Sequence, residues 1–555
     1  MNVSFNNSSL NSGENKKLLK LPVGIQDFEK LREGGYLYVD KTQYLVDIID
    51  RGSVFFFSRP RRFGKSLTIS TFDALFSGKK ELFKGLYAEE FFDRPDYRVS
   101  PVVRLDMSTT TTDQGVDALR ASMLLQVLNS AHRYGIELSE VAMTSPGTAL
   151  AELLKLLAQK HGRVVVLVDE YDKPILDTLF DHERAELFRA ALRGFYTQIK
   201  ASDEYTRFVF MTGITKFTKT GVFSAMNNLY DLSMDDRYAE MLGYTESELL
   251  EHFGGHIEKT AMKLNVPEAE LTEQIRSYYD GFSFDGVHRV YNPFSTLSFL
   301  QMGQFDNFWF ESGSPSFLIN YVKNHDIEAE DFRGKAEAKG FTAVTEIELA
   351  KPSSFLFQAG YLTVREKKGN LLILDYPNEE VLSSMAYLFL YSKTDSTNVG
   401  VAVSYLEQSF NEDKPQELIP YFNQLLAAIP YDIYEREERK YSEAHSSIIM
   451  NNLAESFFHA MLFTLIWAAR LTTIAENHSY HGRSDIEIIK NKHHYIVELK
   501  IADDDASCEQ AADEAMAQIK AKGYADRFAP GEATLIGIAV DRVARLVKAH
   551  RVERV

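Results

Sequence analysis

VFFFSRPRRFGKS, residues 54–66, is an apolar run that enters a tight turn and closes on Gly64, Lys65 and Ser66. Val54, Phe55, Phe56 and Phe57 read as a strand buried on both faces, and LTISTFDALF (67–76) beyond the turn has helical periodicity. Strand, turn and helix joined by Gly-Lys-Ser are the closing half of a phosphate-binding loop, GxxxxGK(S/T). In such a loop, backbone N–H groups at a helix N-terminus surround the phosphates, the lysine reaches the β and γ oxygens, and the hydroxyl holds Mg2+. Arg59 stands where the pattern has its first glycine, so the match is incomplete. A bare Gly-Lys-Ser triplet is most often a surface turn; the flanking strand and helix reverse that weighting.

RVVVLVDEYD (163–172) places five apolar residues directly before Asp169 and Glu170. A buried parallel strand of this kind delivers two carboxylates to its carboxyl edge, where open α/β sheets bind ligands. Asp169 is the candidate holder of Mg2+, and Glu170 the candidate for polarising an attacking water. The bland alternative, a buried strand ending in a solvated acidic turn, weakens once both signals occur in the right order. PVVRLDMS (101–108) and RFVFMTGITKF (207–217) supply two further strands. One strand inserted between the loop and Asp169 suits a P-loop ATPase of the additional-strand type. Its fourth strand carries a polar γ-phosphate sensor, for which Thr212 is the first candidate and Thr215 and Lys216 follow, each with strand-end capping as the competing role. Arg59, Arg61 and Arg62 form a basic cluster suited to phosphate oxygens or to an acidic partner. Phe63, Gly64, Lys65, Ser66 and Leu67 complete the stretch expected around the nucleotide.

These residues carry a family resemblance. SRPRRFGKSL (58–67), LPVGIQDFEKLREGGYLYVDKTQYL (21–45), VDEYDKPI (168–175) and TGITKF (212–217) with NNLYDLS (227–233) resemble the bacterial AAA-ATPase-like family. Further matching strings are LGYTESEL (242–249), YYDGFSF (278–284), VYNPFS (290–295), FQAGYLTV (357–364) and YPNEEV (376–381). The resemblance covers roughly residues 20–545. It implies an N-terminal ATPase domain binding ATP and Mg2+, followed by a C-terminal PD-(D/E)XK nuclease-like domain. It also implies that arginine at the first glycine position is the family's own loop variant.

The C-terminal part has chemistry of its own. GRSDIEII (482–489) and YIVELK (495–500) are strand-like, and NKHH (491–494) between them reads as a hairpin turn. Asp485, Glu498 and Lys500 fall at the spacing of a DxnExK motif. On a strand, Glu498 and Lys500 share a face and Leu499 takes the other. Two carboxylates and a backbone carbonyl make a hard oxygen site for Mg2+ or Mn2+ that can activate water against a phosphodiester, with Lys500 orienting that water. Any half-exposed strand can show the same spacing, so neighbours matter. Glu455 on an amphipathic helix (452–471) and Glu476 are the two candidates for an extra acid. Gln518 and Tyr524 match the family's QIK…Y pattern, and Gln518 with Lys522 forms a helix face suited to a phosphate backbone or to solvent.

With 555 residues, 45% of them apolar, the chain predicts an α/β protein of several domains. The expected division is a tail over 1–19, an ATPase domain over 20–235, a helical lid over 236–330, a mixed connector over 331–435 and a nuclease-like domain over 436–550. Short connector strands are expected in FTAVTEIELA (341–350) and on both sides of a Lys-Lys-Gly-Asn turn. Tyr278, Tyr279, Phe282 and Phe284 read as core rather than as a base-stacking platform. No apolar stretch suits a membrane span or a signal core, and one cysteine, Cys508, excludes an internal disulfide, which fits a cytoplasmic address. A net charge of −18 disfavours broad attraction of nucleic acid, so DNA or RNA binding would need a local basic path or a metal-filled site. Two functions compete: an ATP-gated, metal-dependent nuclease, and a nucleotide-dependent switch whose nuclease-like domain binds without cutting. A kinase-like reading is weak because no acceptor pocket is recognisable. Arg193 and Arg237 are candidates for an arginine donated to a neighbouring subunit, so a homo-oligomer stays open.

Overall fold

A computed structural model describes residues 18–178, 181–216, 228–313, 318, 321–322, 332–342, 351–394, 398–430, 447–475, 486–490, 492–523 and 528–555. Helices α1 (Phe28–Glu33) and α2 (Thr42–Arg51) lead into β1 (Val54–Ser58), and α3 (Lys65–Phe76) follows the loop. The chain then runs through β2 (Val102–Asp106), α4 (Val116–Arg133), α5 (Pro146–His161), β3 (Val164–Asp169), α6 (His182–Ala201), β4 (Thr206–Gly213) and β5 (Tyr230–Asp231). The five strands form one parallel sheet in the order β2-β3-β4-β1-β5. β4 therefore separates β1 from β3, and β2, which lies between them in sequence, is displaced to the edge. Phe56, Phe57 and all six residues of β3 are buried, as strands covered by helices on both faces require. Each fully buried Phe stabilises the sheet by roughly 1.5–3 kcal/mol relative to exposure.

A helical segment follows: α7 (Glu246–Leu264), α8 (Glu268–Tyr279), α9 (Pro293–Met302) and α10 (Phe308–Gly313). Its starts are chemically marked. Thr245 and Glu248 close a capping box on α7, and Asn292 caps α9 with Pro293 in its first turn. Tyr278, Tyr279, Phe282 and Phe284 are buried, consistent with a core role.

Next comes a small antiparallel sheet, order β6-β8-β7, of β6 (Lys335–Ala338), β7 (Thr363–Lys368) and β8 (Leu371–Asp375). Gly369 and Asn370 make its hairpin turn. Of FTAVTEIELA, residues 341–342 form a turn and 343–350 lie outside the described residues. Helix α11 (Pro352–Ala359) precedes β7, and α12 (Glu379–Thr394), α13 (Asn398–Asn411) and α14 (Leu418–Ala428) follow β8.

The C-terminal part opens with α15 (Ser447–Ala468), then β9 (Thr472–Ala475), β10 (Ile486–Lys490), β11 (His493–Ala502), α16 (Cys508–Ala521), β12 (Ala533–Asp541) and β13 (Leu546–Arg554). Its sheet has the order β13-β12-β11-β10-β9. The one parallel pair, β11 with β12, is joined through α16, and the other pairs are antiparallel. One apolar cluster extends from Phe56 and Val166 through Phe355, Leu374 and Phe389 to Val497 and Ile538, so the three sheets share a core. No helix among the described residues is long and apolar enough to cross a membrane.

Within that core Glu380 is fully buried, accepting the Ser295 hydroxyl at 3.0 Å and the Trp309 backbone N–H at 2.7 Å. Burial pushes its carboxyl up to about 8. The folded chain thus holds a proton there that the unfolded chain has released above about pH 4.3, so this group's contribution is complete at low pH and is lost as pH rises toward 8. Glu380→Gln, which mimics the neutral carboxyl, should gain stability over wild type on the order of a few kcal/mol between about pH 4.5 and pH 8. Urea midpoints of both proteins across that range measure it; parallel pH dependences would mean that Glu380 is ionised in the fold.

Candidate functional site

The carboxyl ends of β1, β3 and β4 lie side by side: Phe57 pairs with Thr212, and Val168 with Met211. The loop after β1 ends at Gly64, whose φ of 98° turns the chain into α3, and Arg62 is also left-handed at 66°. The first turn of α3 supplies backbone N–H groups without intrahelical acceptors, which favour an anion. Lys65 is buried, and its amine folds back to donate to the carbonyls of Arg59 at 3.0 Å and Pro60 at 2.9 Å. Burial lowers the Lys65 pKa, opposed by the negative charges of Glu170, Asp169 and Asp172.

Asp169 is buried at the tip of β3 and accepts the Thr212 hydroxyl at 2.6 Å. Glu170 follows in a left-handed conformation (φ 48°), and burial raises its carboxyl pKa against the pull of Lys65. Such backbone strain is sustained only where surrounding packing over-determines it. Asp172, which the sequence did not single out, is buried and accepts both the N–H and the hydroxyl of Thr215, the N–H at 2.6 Å. This tie locks the end of β4 to the end of β3. Lys216 instead pairs with Asp231 at 2.6 Å, so Thr215 and Lys216 serve the sheet edge while Thr212 sits against Asp169.

A cavity of about 400 Å³ opens over the loop, lined by Arg61 through Thr68 and by Glu170. That volume falls in the range of roughly 300–1,000 Å³ usual for small-molecule sites. Its remaining walls come from far along the chain: Ile25 and Val39 before β1, Leu242, Phe294 and Leu297 from the helical segment. Lys41, also on the wall, donates to Glu248 on α7 at 2.5 Å and holds these two walls together. Nothing in the local sequence marks that pair, because its partners are 207 residues apart.

Arg59 departs from the expectation that it contacts phosphate. Its guanidinium is buried away from the cavity, donating to the carbonyls of Ser58, Ser233 and Tyr238 and lying between the rings of Phe57 and Phe284, 4.2 and 3.9 Å from their centroids. Arg61 and Arg62 do line the cavity, with Arg62 over the Phe294 ring. Arg193 is exposed on α6, and Arg237 is exposed beside Asp235.

In the C-terminal sheet Glu498 is buried on β11, where its Oε1 accepts the Gln518 amide at 2.5 Å and lies 3.2 Å from the Lys500 amine. Gln518 thus addresses the carboxylate rather than solvent. Gly537, paired with Glu498 on β12, makes this possible, since a Cβ there would lie 3.0 Å from the Ala512 carbonyl of α16. Glu487 shares that sheet face, because it pairs with Ile496, and it accepts from His494 at 2.7 Å; the alternation Ile486-Glu487-Ile488 carries that signal. Asp485, Glu476 and Tyr524 lie outside the described residues, as does the side chain of Glu455. Among the described residues no group of three or more His, Cys, Asp or Glu side chains forms a metal cluster.

Residues 22–223 match the family model of a "Predicted AAA-ATPase", and residues 453–549 match that of the PD-(D/E)XK nuclease superfamily. The chain is 34% identical over 549 residues to a protein of Azotobacter chroococcum mcd 1 described as "Uncharacterized protein in vnfD 5'region", covering 96% of this chain and 99% of that protein. No solved structure matches.

Replacing Arg59 by glycine restores the general loop pattern, yet it removes the guanidinium donor to the Ser58, Ser233 and Tyr238 carbonyls and leaves a cavity between two rings. Arg59→Gly should therefore lower stability by about 3–5 kcal/mol and bring no gain in nucleotide affinity. Denaturant unfolding together with nucleotide titration checks both halves of this outcome.

Proposed function

We propose, from the premise that this chain belongs to the predicted AAA-ATPase family carrying a C-terminal PD-(D/E)XK nuclease-superfamily domain, that it binds and hydrolyses ATP and couples this to a metal-dependent nuclease acting on DNA or RNA. The observation that carries the ATP reading is the meeting of Lys65, Ser66 and Glu170 on one cavity, with Asp169 held by Thr212 at the same sheet edge. The triphosphate would lie along the first turn of α3, and the helical segment that lines the opposite wall would act as its lid. Lys65 would exchange its two carbonyl acceptors for phosphate oxygens, a gain because charged acceptors make the stronger bond. The Ser66 hydroxyl and Asp169 carboxylate are hard oxygen donors that suit Mg2+, which when bound neutralises charge on the phosphates. Glu170 would orient the attacking water, its raised pKa bringing it closer to the range of a general base.

For the C-terminal domain, Asp485 and Glu498 would hold Mg2+ or Mn2+, and Lys500 would orient the water that attacks a phosphodiester. Gln518 would fix the rotamer of Glu498. The net charge of −18 favours a second reading, in which this domain engages its partner without cutting. A cytoplasmic location and a homo-oligomer completed by Arg193 or Arg237 belong to the same proposal.

Lys65→Ala should abolish ATP binding or turnover. Glu170→Gln should still bind ATP while turnover falls by about 10²-fold or more; turnover at the wild-type rate would remove Glu170 from this role. Plasmid and single-stranded DNA should be cut with Mg2+ or Mn2+ by the wild type and not by Lys500→Ala, with rates that change on adding ATP. Intact DNA under every condition, while ATP is still consumed, sinks the nuclease and leaves the switch.

A further inference from the structure

Four consecutive residues, 306–309, touch three parts of the molecule that are remote in sequence. The Asp306 carboxylate accepts from Arg470 at 2.7 Å, and Arg470 sits just beyond α15, within the nuclease-superfamily match. The Asn307 amide donates to the Ser383 hydroxyl on α12 at 3.2 Å. Trp309 makes two directed bonds: its backbone N–H donates to Glu380 on α12 at 2.7 Å, and its indole N–H donates to the carbonyl of Arg61, inside the nucleotide loop, at 3.0 Å.

The contact on the loop is tight. Trp309 is buried, and Gly360, at the end of α11, approaches so closely that a Cβ there would fall 2.5 Å from Pro60 and 3.2 Å from the Trp309 ring. At the other end, α12 packs along α15. Tyr278 and Glu407 join Asp306 in favouring the charged form of the Arg470 guanidinium against its burial.

We propose that residues 306–309 form a strut between the nucleotide loop and the C-terminal domain, so that occupancy of the cavity and the seating of Arg470 are energetically coupled. This rests on the ATP-binding reading above. When Lys65 leaves the Arg59 and Pro60 carbonyls for a phosphate, the neighbouring peptide groups of the loop must reorient, and Arg61 supplies the acceptor of the indole N–H. A buried donor that loses its acceptor pays its full desolvation penalty, so the strut follows the loop instead of letting go. Its movement is delivered to the Asp306–Arg470 pair, just ahead of β9. Coupling between two sites is reciprocal, so a change at Arg470 must be felt in nucleotide affinity.

The test uses the full chain and a fluorescent N-methylanthraniloyl derivative of ATP with Mg2+. Arg470→Gln, remote from the cavity, should shift the Kd by about five-fold or more, and in a Trp309→Phe background, which keeps a ring and deletes the donor, by less than about two-fold. Asp306→Asn removes the same ion pair from its other end and should behave as Arg470→Gln does, which covers misfolding of either variant. In the wild type, amide exchange over residues 460–471 should change on adding nucleotide. A Kd indifferent to Arg470 and Asp306, equal shifts in both backgrounds, or unchanged exchange despite bound nucleotide each overturns the strut alone. A wild type that binds no nucleotide overturns the ATP reading, and the strut falls with it.

Discussion

A buried lysine amine is the constraint on which the site is built. Lys65 is buried, and taking an ammonium group out of water is tolerable only when carbonyls and carboxylates replace the lost solvent. The Arg59 and Pro60 carbonyls do so directly, and Asp169, Glu170 and Asp172 supply the opposing field. That arrangement needs β1 and β3 to end at one edge with β4 between them, since Thr212 of β4 holds Asp169 while the β4 terminus is tied to Asp172. Strand order, acid placement and lysine burial are thus one requirement. A sheet of another order would strand a positive charge in an apolar interior.

Arg59 shows how the loop dispenses with its first glycine. A glycine at that position serves a loop whose backbone faces solvent or ligand on both sides; here the far side is filled by protein. The guanidinium uses that side, joining the end of β1 to the Ser233 and Tyr238 carbonyls and stacking on Phe284 of the helical segment. Trp309 and Gly360 close the same side through Arg61 and Pro60. The loop is consequently gripped from behind by elements 170 to 300 residues later in the chain. Such a grip makes its conformation a property of the whole protein rather than of one turn.

What could be read from the sequence follows from where the information lies. β1, β3 and β4 were legible because uninterrupted apolar runs report burial on both faces, and β10 and β11 because polar turn residues separate them. β5 was not, since a two-residue strand such as Tyr230–Asp231 has no periodicity to detect. The turn expected over 491–494 is shorter in the structure: His493 and His494 already pair with Lys490 and Ile489, as Lys492 adopts a φ of 66° that tightens the hairpin. Lys65, Asp169 and Glu170 declared themselves by spacing within one element. The turn of Arg59 away from the cavity and the Lys41–Glu248 clasp did not, because each depends on a partner brought in by the tertiary fold. The family resemblance marked residues 21–45 and 357–364 as characteristic, but only packing gives them a role: one walls the cavity and the other backs the loop.

The acidic balance of the chain has a structural counterpart in its C-terminal domain. The basic residues of the edge strand β13 face carboxylates of their own chain: Arg551 lies between Glu509 and Asp513 of α16, Arg554 bonds Asp413, and Lys520 of α16 bonds Glu553. A polyanion approaching this strand would have to displace those carboxylates. Breaking those existing pairs would offset part of what new pairs with phosphates return. Affinity for a nucleic acid, under the proposed function, would then be generated on the face that carries Glu498 and Lys500, where Gln518 already orients the carboxylate. A domain so arranged gains little from diffuse attraction and much from local geometry. Under the proposed function, action on a phosphodiester would depend on how that face is assembled, which is the property a strut ending at Arg470, beside the strand leading into this sheet, is placed to alter.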